Sequence, residues 1–258
     1  MAVVDETQTQ SEQTVIKRIR VYRYKQGDGG EHFDEFDVPV GPNTTVLDAL
    51  HWIQLHCDPS LTMRHSCLHA SCGTCGVKVD GREELACVCA LADHDDEVTV
   101  EPLDNLPILG DLVVDMDPFY ERFRDDHPII RASEAFPGAE VPEGHETYVR
   151  LEDCIECGLC LSACPVAATA CDYVGPAALS AAERLLEEPR GADRDDVLAW
   201  AGREDGAWRC HVAMECTRAC PAEALPAERI MALRRELTFG RDRGEHSGGH
   251  HRDKEAAK

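Results

Sequence analysis

Two cysteine runs in the C-terminal half constrain this chain more than any other feature: Cys154 to Pro165 (CIECGLCLSACP) and Cys210 to Pro221 (CHVAMECTRACP). The first reads C-x2-C-x2-C-x3-C-P, a spacing that wraps thiolates around an iron-sulfur cube and, in two-cluster proteins, sends the fourth cysteine to the other cluster. The second run repeats the frame with Ala213 where a cysteine is due. A methyl group cannot ligate iron, so one site is a ligand short. Sorted by the crossed pattern, Cys154, Cys157, Cys160 and Cys220 form a complete set for a [4Fe-4S] cube. Cys164, Cys210 and Cys216 form a set of three, for which [3Fe-4S] is the simplest occupant. Zinc is the competing ligand of four thiolates, but zinc sites do not call for this register twice.

A third group precedes them, Cys67, Cys72 and Cys75 in RHSCLHASCGTCG, spaced C-x4-C-x2-C. With a distant fourth cysteine this is the pattern of plant-type [2Fe-2S] ferredoxins, and Cys87 and Cys89 compete for the fourth place. Gly73 and Gly76 let the backbone approach such a cluster and aim N–H groups at its sulfurs. His65 and His69 flank the loop, but four cysteines complete it, so both are expected at the surface or in packing.

The 14 cysteines among 258 residues therefore read as metal ligands rather than a disulfide framework, and with no secretory leader ahead of them a reducing compartment is expected. No apolar run reaches the roughly eighteen residues of a membrane span, so membrane association is expected only through a partner. The net charge of -23, from 49 acidic and 26 basic residues, argues against nucleic acid as a partner. Such a surface fits an arginine-favouring coding bias, or a salt-rich cytoplasm that screens its carboxylates.

The length accommodates two domains. Residues 1–13 are polar and unpatterned, and a disordered start is expected. Val15 to Tyr24 and Phe36 to Val40 alternate as two strands of a hairpin about a turn at Gln26 to Gly30. Asn43 to Thr45 supply N-caps for a helix that carries Val46, Leu50 and Ile53 and stops before Pro59. Val77 to Asp80 and Val98 to Glu101 add strands of a small mixed sheet. This first domain is taken as 14–108.

From Leu109 the spacing of Leu112, Val113, Met116, Tyr120 and Phe123 predicts a helix leading into a second, helical domain over 109–239. Arg131 to Glu146 reads as an irregular connection. Helices are expected from Pro176 with Leu179, Ala182, Leu185 and Leu186 on one stripe, over Asp193 to Gly202, and from Pro226 to Leu237. Residues 240–258 read as a disordered tail, whose His246, His250 and His251 carry no more than a weak metal contact. Cys57, Cys89 and Cys171 lie outside the cluster spacings and are expected as small buried hydrophobes.

The order of the three cysteine groups resembles the iron-sulfur subunits of succinate dehydrogenase and quinol:fumarate reductase. LPILGDLVVDMDPFY (Leu106 to Tyr120), GPAAL (Gly175 to Leu179) and WRCHVAMECTRACP (Trp208 to Pro221) resemble further segments of that family. The resemblance covers Val15 to Leu237, and its cysteine spacing favours Cys87 over Cys89.

It implies an α+β chain, a β-grasp [2Fe-2S] ferredoxin-like domain followed by an all-α two-cluster ferredoxin-like domain. It implies an oxidoreductase component of respiratory complex II and the tricarboxylic acid cycle, with a flavoprotein subunit carrying FAD and one or more membrane-anchor subunits as partners. The expected place is peripheral, at the cytoplasmic face of the cell membrane. Quinone is the implied acceptor, with His211 beside the third cluster and Pro165 in its vicinity. Many ubiquinone-reducing members carry two tryptophans after the first Cys-Pro; here Pro165 is followed by Val166, Ala167, Ala168 and Thr169, a hint of menaquinone. Direction, succinate oxidation or fumarate reduction, is shared by the same ligands. A free ferredoxin-type carrier has no use for these further segments, and a soluble thiol-driven fumarate reductase calls for cysteine-rich segments beyond Pro221.

Overall fold

The computed structural model describes residues 14–25, 27, 30–123, 154–187 and 194–240. The expected disordered start, the irregular connection, the tail with its histidines and part of the first turn lie outside them.

Alternation produces the first strands as expected. β1 (Val15–Arg23) and β2 (His32–Val40) pair antiparallel from Val15 opposite Val40 to Arg23 opposite His32, and Ile19, Val21 and Val38 are fully buried. β3 (Gly76–Val79), β4 (Arg82–Leu85) and β5 (Glu97–Glu101) complete a sheet of order β2-β1-β5-β3-β4, in which only β1 and β5 run parallel. Its apolar face is covered by α1 (Val46–His56) through Val46, Leu47, Leu50 and Ile53. Thr45 starts that helix with a reciprocal capping box: its side chain accepts from the Asp48 N–H while the Asp48 carboxylate accepts from the Thr45 N–H.

The segment after Leu106 departs from expectation. No helix begins at Leu109; instead β6 (Ile108–Gly110) and β7 (Val113–Val114) form a small hairpin, and the first helical turn is α2 (Asp117–Tyr120). The cause is Asp111, whose buried carboxylate accepts from Arg23 Nε at 3.1 Å and from the N–H groups of Tyr24 and Thr62 at 3.0 and 2.8 Å. Arg23 also reaches Asp34 at 2.9 Å, Asp58 at 2.5 Å and Ser60 at 2.9 Å, and so fastens the hairpin to the sheet. Helical spacing of apolar residues loses to one satisfied buried ion network.

The helical region contains α3 (Leu159–Ser162), α4 (Pro176–Glu187), α5 (Arg194–Ala201), α6 (Glu215–Arg218) and α7 (Pro226–Phe239). Leu179 and Ala182 of α4, Val197 and Trp200 of α5, and Ile230 and Leu233 of α7 share a core with Tyr173. Proline opens α4 and α7, where a missing N–H costs nothing.

A polar seam joins the two regions. Ser162 Oγ donates to Glu83 Oε1 at 3.0 Å and accepts from the Asp104 N–H at 2.8 Å. Asn105 Nδ2 lies 2.9, 2.9 and 3.2 Å from the carbonyl oxygens of Leu161, Ser162 and Cys164. The carbonyls at and just past the end of α3 gain a side-chain donor here.

Candidate iron-sulfur sites

The first cysteine loop is built for thiolates. Leu68 and Ala70 have φ of 66° and 60°, and Gly73 has 70°. Left-handed residues alternating with right-handed ones turn successive N–H groups inward, which makes a concavity for anions. The N–H groups of His69 and Ser71 lie 3.5 and 3.3 Å from Cys67 Sγ, and that of Ala70 lies 3.4 Å from Cys87 Sγ. The His69 N–H first, then the Ser71 hydroxyl, pull the Cys67 pKa down to about 5. Burial pushes Cys75 up to about 12, and Cys87 and Cys72 are its nearest ionisable neighbours.

Cys87 thus turns to the loop while Cys89 turns away. Its Sγ lies 3.3 Å from His94 Nε2, whose Nδ1 is 2.8 Å from Asp80 Oδ2. Cys89 is buried as expected; Cys57 and Cys171 are exposed, against expectation, because each lies in a turn, Cys57 at the C-terminal cap of α1, rather than on an inward face. His65 and His69 are exposed, and the His65 ring packs edge-on against His51.

The two later runs fold as near copies. In the first, Glu156 and Gly158 have φ of 53° and 81°; in the second, Val212 and Met214 have 58° and 65°. Left-handed backbone at non-glycine residues is costly and is held only where the surroundings demand it. The second loop keeps this conformation around Ala213, so the wrapping geometry survives the loss of the thiol. Each loop ends in a four-residue helix, α3 or α6, that carries the next cysteine, Cys160 or Cys216.

The side chains sort as the crossed spacing requires. Cys154, Cys157, Cys160 and Cys220 line one cavity of about 450 Å3, with Phe119, Tyr120 and Phe123 on its rim. Cys164, Cys210 and Cys216 line a second, much narrower one together with Ala213, His211 and Pro165. Among the described residues no three His, Cys, Asp or Glu side chains close on one point as the ligands of a single ion would. Thiols around a space, fed by inward N–H groups, suit an inorganic cluster. Burial pushes Cys157 up to about 11 and Cys216 up to about 12, so iron must displace protons to bind there.

The three sites also adjoin one another in sequence order. A Cβ placed on Gly73 would sit 2.7 Å from the Ile155 carbonyl oxygen and 2.9 Å from Cys157 Cα, so only glycine lets the first loop press on the second. The second and third are interleaved, since Cys164 and Cys220 each leave their own run for the other cavity. Sequence reasoning missed the parts that align this row: Asn105 and Ser162 act across more than fifty residues and carry no local signal. Exposed apolar side chains stand at both ends, Leu68 and Val88 by the first site and Trp208 and Val212 by the third.

Known proteins match the same division. A family model described as a 2Fe-2S iron-sulfur cluster binding domain matches residues 18–121, and a 4Fe-4S dicluster domain matches residues 150–224. The fumarate reductase iron-sulfur subunit of Escherichia coli O6:H1 is 35% identical over 218 residues, 83% of this chain and 89% of that protein. The succinate dehydrogenase iron-sulfur subunit of Paracoccus denitrificans is 33% identical over 230 residues, 86% of this chain and 88% of its own length. Among solved structures, a chain of the Mycobacterium smegmatis Sdh1 complex in the apo form superposes with a TM-score of 0.79 at 27% identity, covering 89% of this chain and 98% of that one. A mixed sheet with a [2Fe-2S] loop, followed by a helical dicluster region, is thus shared at the level of sequence and of fold, and the chain belongs to the family of fumarate reductase and succinate dehydrogenase iron-sulfur subunits.

Proposed function

We propose that this chain is the electron-transfer subunit of a succinate:quinone oxidoreductase, relaying electrons from a flavoprotein's FAD through [2Fe-2S], [4Fe-4S] and [3Fe-4S] clusters to a membrane quinone. The observation that carries the reading is the row of three cysteine-lined sites, pressed together at Gly73 and interleaved at Cys164 and Cys220. When bound, the clusters pass electrons singly, which a two-electron donor and a distant acceptor require. The chain's own part is to hold them. In this reading Cys67, Cys72, Cys75 and Cys87 ligate the first, Cys154, Cys157, Cys160 and Cys220 the second, and Cys164, Cys210 and Cys216 the third. Ala213 leaves the third a corner short. We divide the chain functionally at 109, with 14–108 and 109–239 as the two units.

Among the described residues no helix is long and apolar enough to cross a membrane, so we assign the membrane attachment to anchor subunits, at the cytoplasmic face. The apolar side chains at opposite ends supply two docking faces: Leu68 and Val88, 58% and 51% exposed, for the flavoprotein, and Trp208 and Val212, 50% and 37% exposed, for the anchor. His211 is exposed and lines the third cavity with Pro165. Its imidazole offers both a donor and an acceptor nitrogen, which suits a quinone oxygen. The short side chains after Pro165 leave no tryptophan wall there, and we take menaquinone as the partner.

The test is a split of activities in the assembled complex. In His211→Ala, succinate oxidation with a dye that draws electrons from the flavin should persist with all clusters intact, while quinone reduction falls by about 100-fold or more. Equal loss with both acceptors would place the fault upstream and remove His211 from the quinone site. A chain that purifies alone and never binds a flavoprotein would overturn the whole reading.

A further inference from the structure

The third site contains a polar group that neither the ligand pattern nor the quinone reading uses. Tyr173 is 1% exposed, lies in the core shared by α4, α5 and α7, and lines the narrow cavity with Cys164, Cys210 and Cys216. Among the described residues its hydroxyl finds no hydrogen-bond partner of good geometry, and the Cys210 thiol is the side chain near enough to interact with it. A buried hydroxyl left unpaired costs about 1–3 kcal/mol, so a position that keeps one calls for a partner outside the polypeptide. The backbone on both sides is fixed: the Tyr173 N–H donates to the Ala170 carbonyl at 3.1 Å, its carbonyl accepts from Arg122 Nε at 3.2 Å, and the Val174 N–H donates to Asp205 O at 3.0 Å.

We propose that Tyr173 donates its O–H to a sulfur of the third cluster or of its Cys210 thiolate and thereby raises that cluster's reduction potential. This rests on the reading of the third site as a [3Fe-4S] cluster. A donor to sulfur stabilises the reduced, more negative state, and hydrogen bonds to sulfur are a principal control of cluster potential. Among the residues lining this cavity Tyr173 alone carries a hydroxyl. The other donor close to Cys210 is the Val212 N–H, 3.4 Å from its Sγ, and no side-chain replacement removes it. Burial, then the Cys210, Cys164 and Cys216 thiols, push the phenol's pKa well up, so it stays a neutral donor at every working pH. His211 lines the same cavity and is exposed, so two side-chain donors face this site, one open to solvent and one buried.

The experiment is an EPR-monitored redox titration of the intact complex with Tyr173→Phe, which keeps the ring and removes the oxygen. Iron content and the oxidised [3Fe-4S] signal should be retained, and the midpoint of the third cluster should move to lower potential while those of the other two stay in place. A fluorinated tyrosine at position 173, a stronger donor of nearly the same shape, should move it the other way; this arm decides the matter if the phenylalanine variant fails to assemble. Unchanged midpoints in both variants would overturn the role of Tyr173 and leave the cluster assignment standing. Absence of a [3Fe-4S] signal in the unaltered complex would overturn both.

Discussion

The sheet region and the helical region solve the same problem, holding iron-sulfur clusters, on different supports. In the sheet region the core is apolar side chains, Ile19, Val21, Val38, Leu50 and Ile53 among them, and the cysteine loop lies at its edge. In the helical region the cysteines line two cavities beside an apolar core of their own, Cys160, Cys164 and Cys216 buried and Cys154 exposed. Helices α3 and α6, which present Cys160 and Cys216, have four residues each, far below the length at which a helix stands alone. One region carries a cluster on a fold; the other folds around its clusters. Where metal binding is folding free energy, the second kind should not survive loss of the metal.

Removal of iron should break this symmetry most. After chelation under reducing conditions, hydrogen exchange should show residues 154–164 and 210–220 falling to the protection of open chain, while β1, β2, β5 and α1 stay protected. Equal loss in both regions would end the distinction.

The converse perturbation is Arg23→Gln. It leaves Asp111, 5% exposed at its side chain, without its cation, and breaking such a buried pair costs about 3–5 kcal/mol. Urea unfolding followed by the visible circular dichroism of the [2Fe-2S] site should register that loss, with the dicluster signals unchanged at low urea. A smaller effect falls on the seam. Asn105→Ala removes the side-chain donor shared by three carbonyls, of which those of Leu161 and Cys164 keep a backbone N–H, a loss of about 1–3 kcal/mol, and should raise exchange at residues 161–164 without touching the β1–β2 ladder. Least of all, lowering KCl should destabilise both regions alike, each exposed carboxylate contributing under about 1 kcal/mol, if the charge of -23 is an adaptation to salt. Equal melting at low and molar salt leaves coding bias as its source.

What the sequence made legible follows from how local each cause is. β1, β2 and α1 can be read from alternation and a cap, and the cysteine runs from their own spacing. β4 reads as charge, Arg82 to Leu85, but the Asp80-Gly81 pair before it, with φ of 50° and 77°, is a two-residue hairpin turn and was the available signal. The hairpin at Ile108 to Val114 carries only the Gly110-Asp111 pair, with Asp111 at φ of 40°, as a local signal, and the partner that decides it, Arg23, lies 88 residues away. Asn105 and Tyr173 are equally silent in sequence: one is defined by carbonyls it meets across the seam, the other by a cavity that forms only when α4 and α7 close.

The central claim is that the second and third sites, folded alike, differ by one thiol. Iron analysis of the purified complex, combined with EPR of the oxidised state, tests it directly. The account predicts about nine irons in this chain and a [3Fe-4S] signal, with Ala213→Cys admitting one more iron and abolishing that signal. About ten irons with no such signal in the unaltered protein would contradict it.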